Sequence, residues 1–161
     1  MPLQSKEVEF LHEWSFRVEI DDFTVTDFME CSGLKQNVSK IQTWQGGSVS
    51  PVQEPGRVTF DDVTLRRGYT GDRSFYTWAK LCANVSANAG VRTQRLKRNF
   101  DIVALRRDGT TAARWRVKGA WPTSFTAGAW NNDSDNAQVE ELVLAIDDFH
   151  VISGSHAPIP W

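Results

Sequence analysis

The sequence lacks any apolar run long enough to cross a bilayer as a helix; its longest such stretch is LVLAI at residues 142–146. The opening MPLQSKEVEF has no apolar segment of signal-peptide length, so a chain folded in the cytoplasm, with no direct membrane anchor, is expected. Cysteine is scarce. Cys31 and Cys82 stand far apart without Cys-x-x-Cys spacing, which points to reduced, packed thiols rather than a disulfide. Without a secretory route the N-x-S triplets at Asn37, Asn84 and Asn132 carry little weight. Nor is there a basic excess: 18 Lys and Arg face 20 Asp and Glu, a net charge of −2, which argues against binding to a nucleic-acid backbone.

Signatures of chemistry are equally thin. His12, His150 and His156 are scattered, with neither Cys nor acid at metal-ligand spacing, so no metal and no cofactor is expected. In the loop NNDSDN, Asn131, Asp133 and Asp135 imitate the first ligands of a calcium loop. Asn136 and Leu142, however, stand where such a loop needs Gly and Glu, and a solvated turn is the expectation. The paired acids Asp21-Asp22, Asp61-Asp62, Glu140-Glu141 and Asp147-Asp148 suit turns and strand edges. Neighbours in a strand point to opposite faces and cannot share a catalytic site. No nucleophile elbow, P-loop or dinucleotide fingerprint occurs, and no enzyme is expected.

What the sequence does hold is strand periodicity. At 161 residues it suits one domain, with residues 1–13 and 151–161 as extended terminal arms. Trp14, Phe16, Val18 and Ile20 alternate with polar residues up to a turn at Asp21-Asp22, and FMECSGL leads into a further strand over residues 35–44. GGSVSPVQEPG, residues 46–56, is rich in Gly and Pro and predicts an exposed arm without continuous ladder bonding. Val58 and Phe60 are on one parity and Val63 and Leu65 on the other, so a β-bulge at Asp61-Asp62 would keep all four on one side.

Asp72 is placed to cap a helix whose apolar face is Phe75, Trp78, Ala79, Leu81, Cys82 and Val85, ending before Gly90. Phe100, Ile102 and Ala104 begin a strand that ends at Arg106-Arg107. Asp108-Gly109 then turns the chain into a partner strand carrying Trp115, Val117, Gly119 and Trp121, ended by Pro122. Leu142, Leu144 and Ile146 share a face of a last strand, with Val143 and Ala145 opposite. Six to eight strands and one helix, without βαβ repeats, predict a mainly β fold: a small antiparallel β-barrel or sandwich with one flanking α-helix.

Among the seven tryptophans, Trp14, Trp78, Trp115 and Trp121 fit core faces. Trp44, Trp130 and Trp161 lie near loops or the tail and suit either partner contact or simple packing. The doubled arginine in VTLRRGYT invites a phosphate clamp, but Arg66 points away from Leu65 while Arg67 shares its side, so the pair forms no single patch. Arg106-Arg107 repeats the arrangement before its own turn.

Taken in order, FRVEI (16–20), CSGL (31–34), WQGG (44–47), EPG (54–56), VTLRRGYT (63–70) and AWP (120–122) resemble the inner tube protein of contractile phage tails and of extracellular contractile injection systems. The resemblance spans residues 14–149. It implies a β-barrel-like subunit forming hexameric rings that stack into a tube within a sheath. It also implies partners: further copies of the chain, a sheath protein, baseplate hub or spike and tube-initiator proteins, and a cargo effector or phage DNA in the lumen. Such a subunit is made in the bacterial cytoplasm and ends in a virion or injection particle. QTWQGG and VQEPG depart from the usual family pattern, which leaves both a main tube subunit and a tube initiator open. On this resemblance the expected ring or stacking interface is Trp44, Gly46, Gly47, Pro55, Gly56, Arg66, Arg67 and Gly68. The alternative is a carbohydrate- or ligand-binding β-sandwich module using exposed tryptophans.

Overall fold

A computed structural model describes residues 15–21, 23, 28–84 and 96–152. Trp14, Asp22, Val85, Gly90, His12, His156 and Trp161 lie outside them. In chain order the elements are β1 (Phe16–Ile20), β2 (Glu30–Cys31), β3 (Gln36–Thr43), β4 (Val52–Phe60), β5 (Val63–Gly68) and α1 (Ser74–Ala83). They continue with β6 (Arg98–Leu105), β7 (Thr111–Ala127), β8 (Val139–Ala145) and β9 (Asp148–Ile152), nine strands and one helix among the described residues. No helix among these residues is long and apolar enough to cross a membrane.

Seven strands form one antiparallel sheet in the order β1-β6-β7-β8-β5-β2, with β9 also paired to β7. The sheet folds over on itself as a sandwich because β7 is long enough to serve both layers. Its first half pairs with β6 and β9, and its second half with β8. Val18, Ile20, Phe100 and Val117 from one layer meet Val63, Leu65, Leu142 and Leu144 from the other in a single core cluster. Helix α1 adds Phe75 and Trp78 to it, and the Trp78 indole N–H donates to the Leu96 carbonyl at 2.7 Å. The alternation expected in β1, β5 and β8 is thus the burial pattern of the core.

Several expectations are corrected. Pro122 does not end its strand: β7 runs on to Ala127, and the ladder shifts between Pro122 and Ser124, where a residue without an N–H is tolerated at the irregularity. Trp115 and Trp121 are 37% and 38% exposed: Trp121 alternates with the buried Ala120 and Pro122 and so faces away from the core, and Trp115, between β6 and β9, has its ring 6.0 Å from that of half-buried Phe149. Leu81 faces outward on α1.

Asp61-Asp62 is no bulge but the junction between two sheets. Phe60 ends β4, which pairs only with β3 in a separate two-stranded sheet, and Val58 is exposed while Val63 and Leu65 are buried. Nor are residues 46–56 an arm without ladder bonding. Residues 52–56 belong to β4, where Pro55 lies opposite Lys40, Glu54 opposite Ile41 and Val52 opposite Thr43 on β3. The segment is the far half of a hairpin whose tip is residues 44–51. An edge strand beside a bulge accommodates Pro and Gly, which in isolation read as strand breakers.

Candidate functional site

Two features stand out, and the first is the end of β5. Arg66 and Arg67 project to opposite faces, as their parity requires. The Arg66 guanidinium lies on the open face, 3.1 Å from Glu30 on β2 and 3.6 Å from Glu141 on β8. Arg67 is buried. Its Nε donates to Glu140 Oε2 at 2.8 Å, Nη1 reaches Asp72 Oδ2 at 3.3 Å, and the guanidinium stacks 3.8 Å above the Phe75 ring.

Asp72 in turn accepts the Ser74 backbone N–H at 3.0 Å, so it steadies the first turn of α1 although the cap position itself is Arg73. The hydrogen bonds from Ser74, and then Arg67, hold the Asp72 carboxyl below the ordinary carboxylate range. Arg67 therefore locks β5, β8 and the helix start together inside the subunit, while Arg66 remains at its surface. Gly68, the last residue of β5, pairs with Val139.

The second feature is the β3–β4 hairpin. Val38, Ile41, Trp44, Val49, Val52 and Val58 are all exposed on it, Val49 at 99%. A lone two-stranded ribbon with this much apolar surface in water is marginal by itself. Its geometry is nonetheless specified. The register shifts between Val38 and Lys40, the Ser39 hydroxyl accepts the Arg57 N–H at 2.7 Å, and a Cβ on Gly56 would stand 2.5 Å from that hydroxyl oxygen. At the tip Gly47 takes φ +83°, a conformation that favours glycine. At the base Asp61 accepts from the Asn37 side chain at 2.7 Å and donates its N–H to the Lys35 carbonyl.

The expected interface residues thus fall into two places rather than one. Trp44, Gly46, Gly47, Pro55 and Gly56 lie on the hairpin, and Arg66, Arg67 and Gly68 at the end of β5. Sequence reasoning missed the five exposed valine and isoleucine positions of the hairpin. Of the aromatic cluster beside the end of β5 it singled out Trp130 for partner contact or packing but missed Tyr69, Tyr76 and Phe125, which come from a loop, α1 and β7 and are brought together only by the fold. Glu140 was missed as Arg67's partner.

The remaining chemistry is structural. Asp101, buried on β6, accepts from Arg114 at 2.7 Å and from Arg116 at 2.8 Å and 3.0 Å, and Arg114 also donates to Glu19 at 3.0 Å. Cys31 and Cys82 are free thiols; burial, aided by Glu30, pushes the Cys31 thiol up to about 12. In the NNDSDN loop the Asn131 side chain accepts the Asp133 N–H at 3.0 Å, a local turn. No group of acids, His and Cys suited to a metal ion occurs among the described residues.

The family model of the T4-like virus tail tube protein gp19 matches residues 12–150. No curated protein matches the sequence. Among solved structures, a chain of the sheath-tube complex of the extracellular contractile injection system PVC, in its extended state, is similar with a TM-score of 0.73 and 24% identity, covering 89% of this chain and 91% of that one. The tube-terminating cap of the anti-feeding prophage is similar with a TM-score of 0.75 and 23% identity, covering 96% and 100%. A chain of the anti-feeding prophage baseplate, 6-fold symmetrised, is similar with a TM-score of 0.71 and 17% identity, covering 92% and 99%.

Proposed function

The chain belongs to the T4-like virus tail tube protein family and is a structural tube protein, and from that premise we propose that it assembles into hexameric rings that stack as the inner tube of a contractile particle. One observation carries the assembly: a specified hairpin, β3–β4, presents Trp44, Val49 and its other apolar residues with nothing among the described residues to cover them. A second copy is the natural cover. Among the described residues the two-residue strand β2 and the strand β1 each pair with one neighbour only, and head-to-tail pairing around a closed ring satisfies such edges.

In this account the hairpin, with Trp44, Gly46, Gly47, Pro55 and Gly56, reaches the next ring. Arg66 and Gly68 lie at the contact within a ring, and Arg67 holds that contact's frame from inside. A sheath protein surrounds the tube, baseplate and initiator proteins stand at its end, and an effector or DNA occupies the lumen. The names of the similar structures, a sheath-tube complex, a tube cap and a sixfold baseplate, support the sheath and baseplate partners.

Electron micrographs of the concentrated, purified chain test it. Rings and stacked tubes are expected, and deletion of residues 48–53 is expected to leave single rings. Normal tubes from the deletion variant would refute the role of the hairpin. Monomers alone from the intact chain would refute the assembly.

A further inference from the structure

The strand path of the main sheet begins at β1 and ends at β2. Between these two ends lies a groove of about 830 Å³, walled on one side by Phe16, Ile102, Trp115 and Phe149 and on the other by Met29 and Cys31. Parity makes the first wall a continuation of the core. Phe16 precedes Val18, Ile102 follows Phe100 and Trp115 precedes Val117, each at the spacing that puts two residues of a strand on one face. Val18, Phe100 and Val117 are buried, whereas Phe16 and Ile102 are half-buried and Trp115 is exposed. The second wall is fixed to β5, with the Met29 N–H donating to the Arg66 carbonyl and the Ser32 N–H to the Thr64 carbonyl, both at 2.9 Å, yet the Met29 side chain is 64% exposed. A core face thus runs past its cover, and no described residue fills the space.

Chain connectivity selects the occupant. Ser15 is itself in the groove wall, so residues 1–14 enter there with no distance to cross. The Ser15 carbonyl accepts the Leu105 N–H at 2.9 Å; β6 then turns back, with the Arg106 N–H donating to the Thr110 carbonyl, and offers no ladder to the residues before Ser15. Those residues are also the apolar ones. Val8, Phe10 and Trp14 alternate with Glu7, Glu9 and Glu13, so an extended segment turns its rings into the groove and its acids to solvent. His12, on the inner side, is a donor for Glu30, the one charged residue among the described walls.

Other segments outside the described residues fit less well. Residues 24–27 have Val25 as their one large apolar side chain, and the rings flanking them, Phe23 and Phe28, both pack on Phe75 of the helix. Residues 85–95 run from α1 to Leu96, neither of which lines the groove, and residues 153–156 read Ser-Gly-Ser-His. We propose that residues 8–14 of the same chain lie in this groove and close the seam between β1 and β2. The contact belongs to the single subunit and stands apart from ring assembly.

The test replaces Phe10 of the full chain with the photoreactive residue p-benzoylphenylalanine, at a dilution that leaves the chain unassembled. The substituted chain is mixed with nitrogen-15-labelled unsubstituted chain, irradiated and mapped by peptide mass spectrometry. Crosslinks within the unlabelled chain to peptides containing Met29 or Trp115 are expected. In a second measurement, Phe10→Ser/Trp14→Ser is expected to raise hydroxyl-radical oxidation of Met29 several-fold while that of Tyr69 stays the same; if Tyr69 rises as well, the crosslinks alone decide. Crosslinks from position 10 into labelled chains make a second copy the occupant and overturn the proposal. So do crosslinks confined to other surfaces, none at all, or unchanged oxidation of Met29.

Discussion

Arg67 and Glu140 stand directly opposite each other on β5 and β8, with Arg67 Nε 2.8 Å from Glu140 Oε2 and both side chains sealed from water. One guanidinium thereby ties two strands to the first turn of the helix, through Asp72, and to its packing, through Phe75.

Removing only one partner of this pair leaves a charge buried without compensation. Arg67→Met is expected to cost about 3–5 kcal/mol of subunit stability. The double variant Arg67→Met/Glu140→Leu is expected to recover most of it, since an apolar pair of similar volume needs no counter-charge. Urea unfolding of the dilute, unassembled chain measures both; equal destabilisation in the single and double variants would contradict this account.

Arg66 separates assembly from folding. Its pairs with Glu30 and Glu141 are solvent-exposed, so Arg66→Glu is expected to change subunit stability by only about 1 kcal/mol. It also gathers three acids on the open face of the β2–β5–β8 edge, and is expected to abolish ring formation in sedimentation velocity runs where the native chain assembles.

Acid should act through Asp101. Burial pushes its carboxyl up, but the hydrogen bonds from Arg116 and Arg114 outweigh that and hold it below the ordinary carboxylate range. A depressed folded-state value means that its contribution is complete above the unfolded value of about 3.9 and is lost as pH falls through the folded one. The unfolding midpoint should therefore drop below about pH 4, and Asp101→Asn should show a shallower drop there while being less stable at pH 7.

Among the described glycines Gly119 is the one least open to change. It has φ +67°, its N–H donates to the Asn99 side chain at 3.1 Å, and an added Cβ would overlap the Asp147 carboxylate, which also pairs with Lys97. Gly119→Ala is expected to cost about 1–3 kcal/mol from the conformation alone. Adding Asp147→Ala should relieve the overlap but not the backbone term, leaving the double variant still less stable than Asp147→Ala in thermal unfolding.

Much of this was legible along the chain. Val18 and Ile20, Val63 and Leu65, and Leu142 and Leu144 alternate with outward residues because each strand buries one face. The same parity assigned Arg67 to Leu65's side. Its partner was not legible, since Glu140 is brought opposite by strand register between distant segments, which no local pattern encodes. Pro122 misled because its missing N–H normally ends pairing, whereas here it stands where β7 exchanges partners. The first strand of the hairpin was expected over residues 35–44, but the start of β4 escaped because a ribbon exposed on both faces has no burial alternation to leave in its sequence, and its Pro and Gly imitate a loop. That missing alternation is itself what a surface awaiting another copy would leave.

Native mass spectrometry of the purified, full-length chain tests the assembly most directly. The account predicts a dominant species of six times the 18.2 kDa subunit, with higher multiples of that ring as concentration rises. A single 18.2 kDa species at every concentration, from a chain that is folded by circular dichroism, would contradict it.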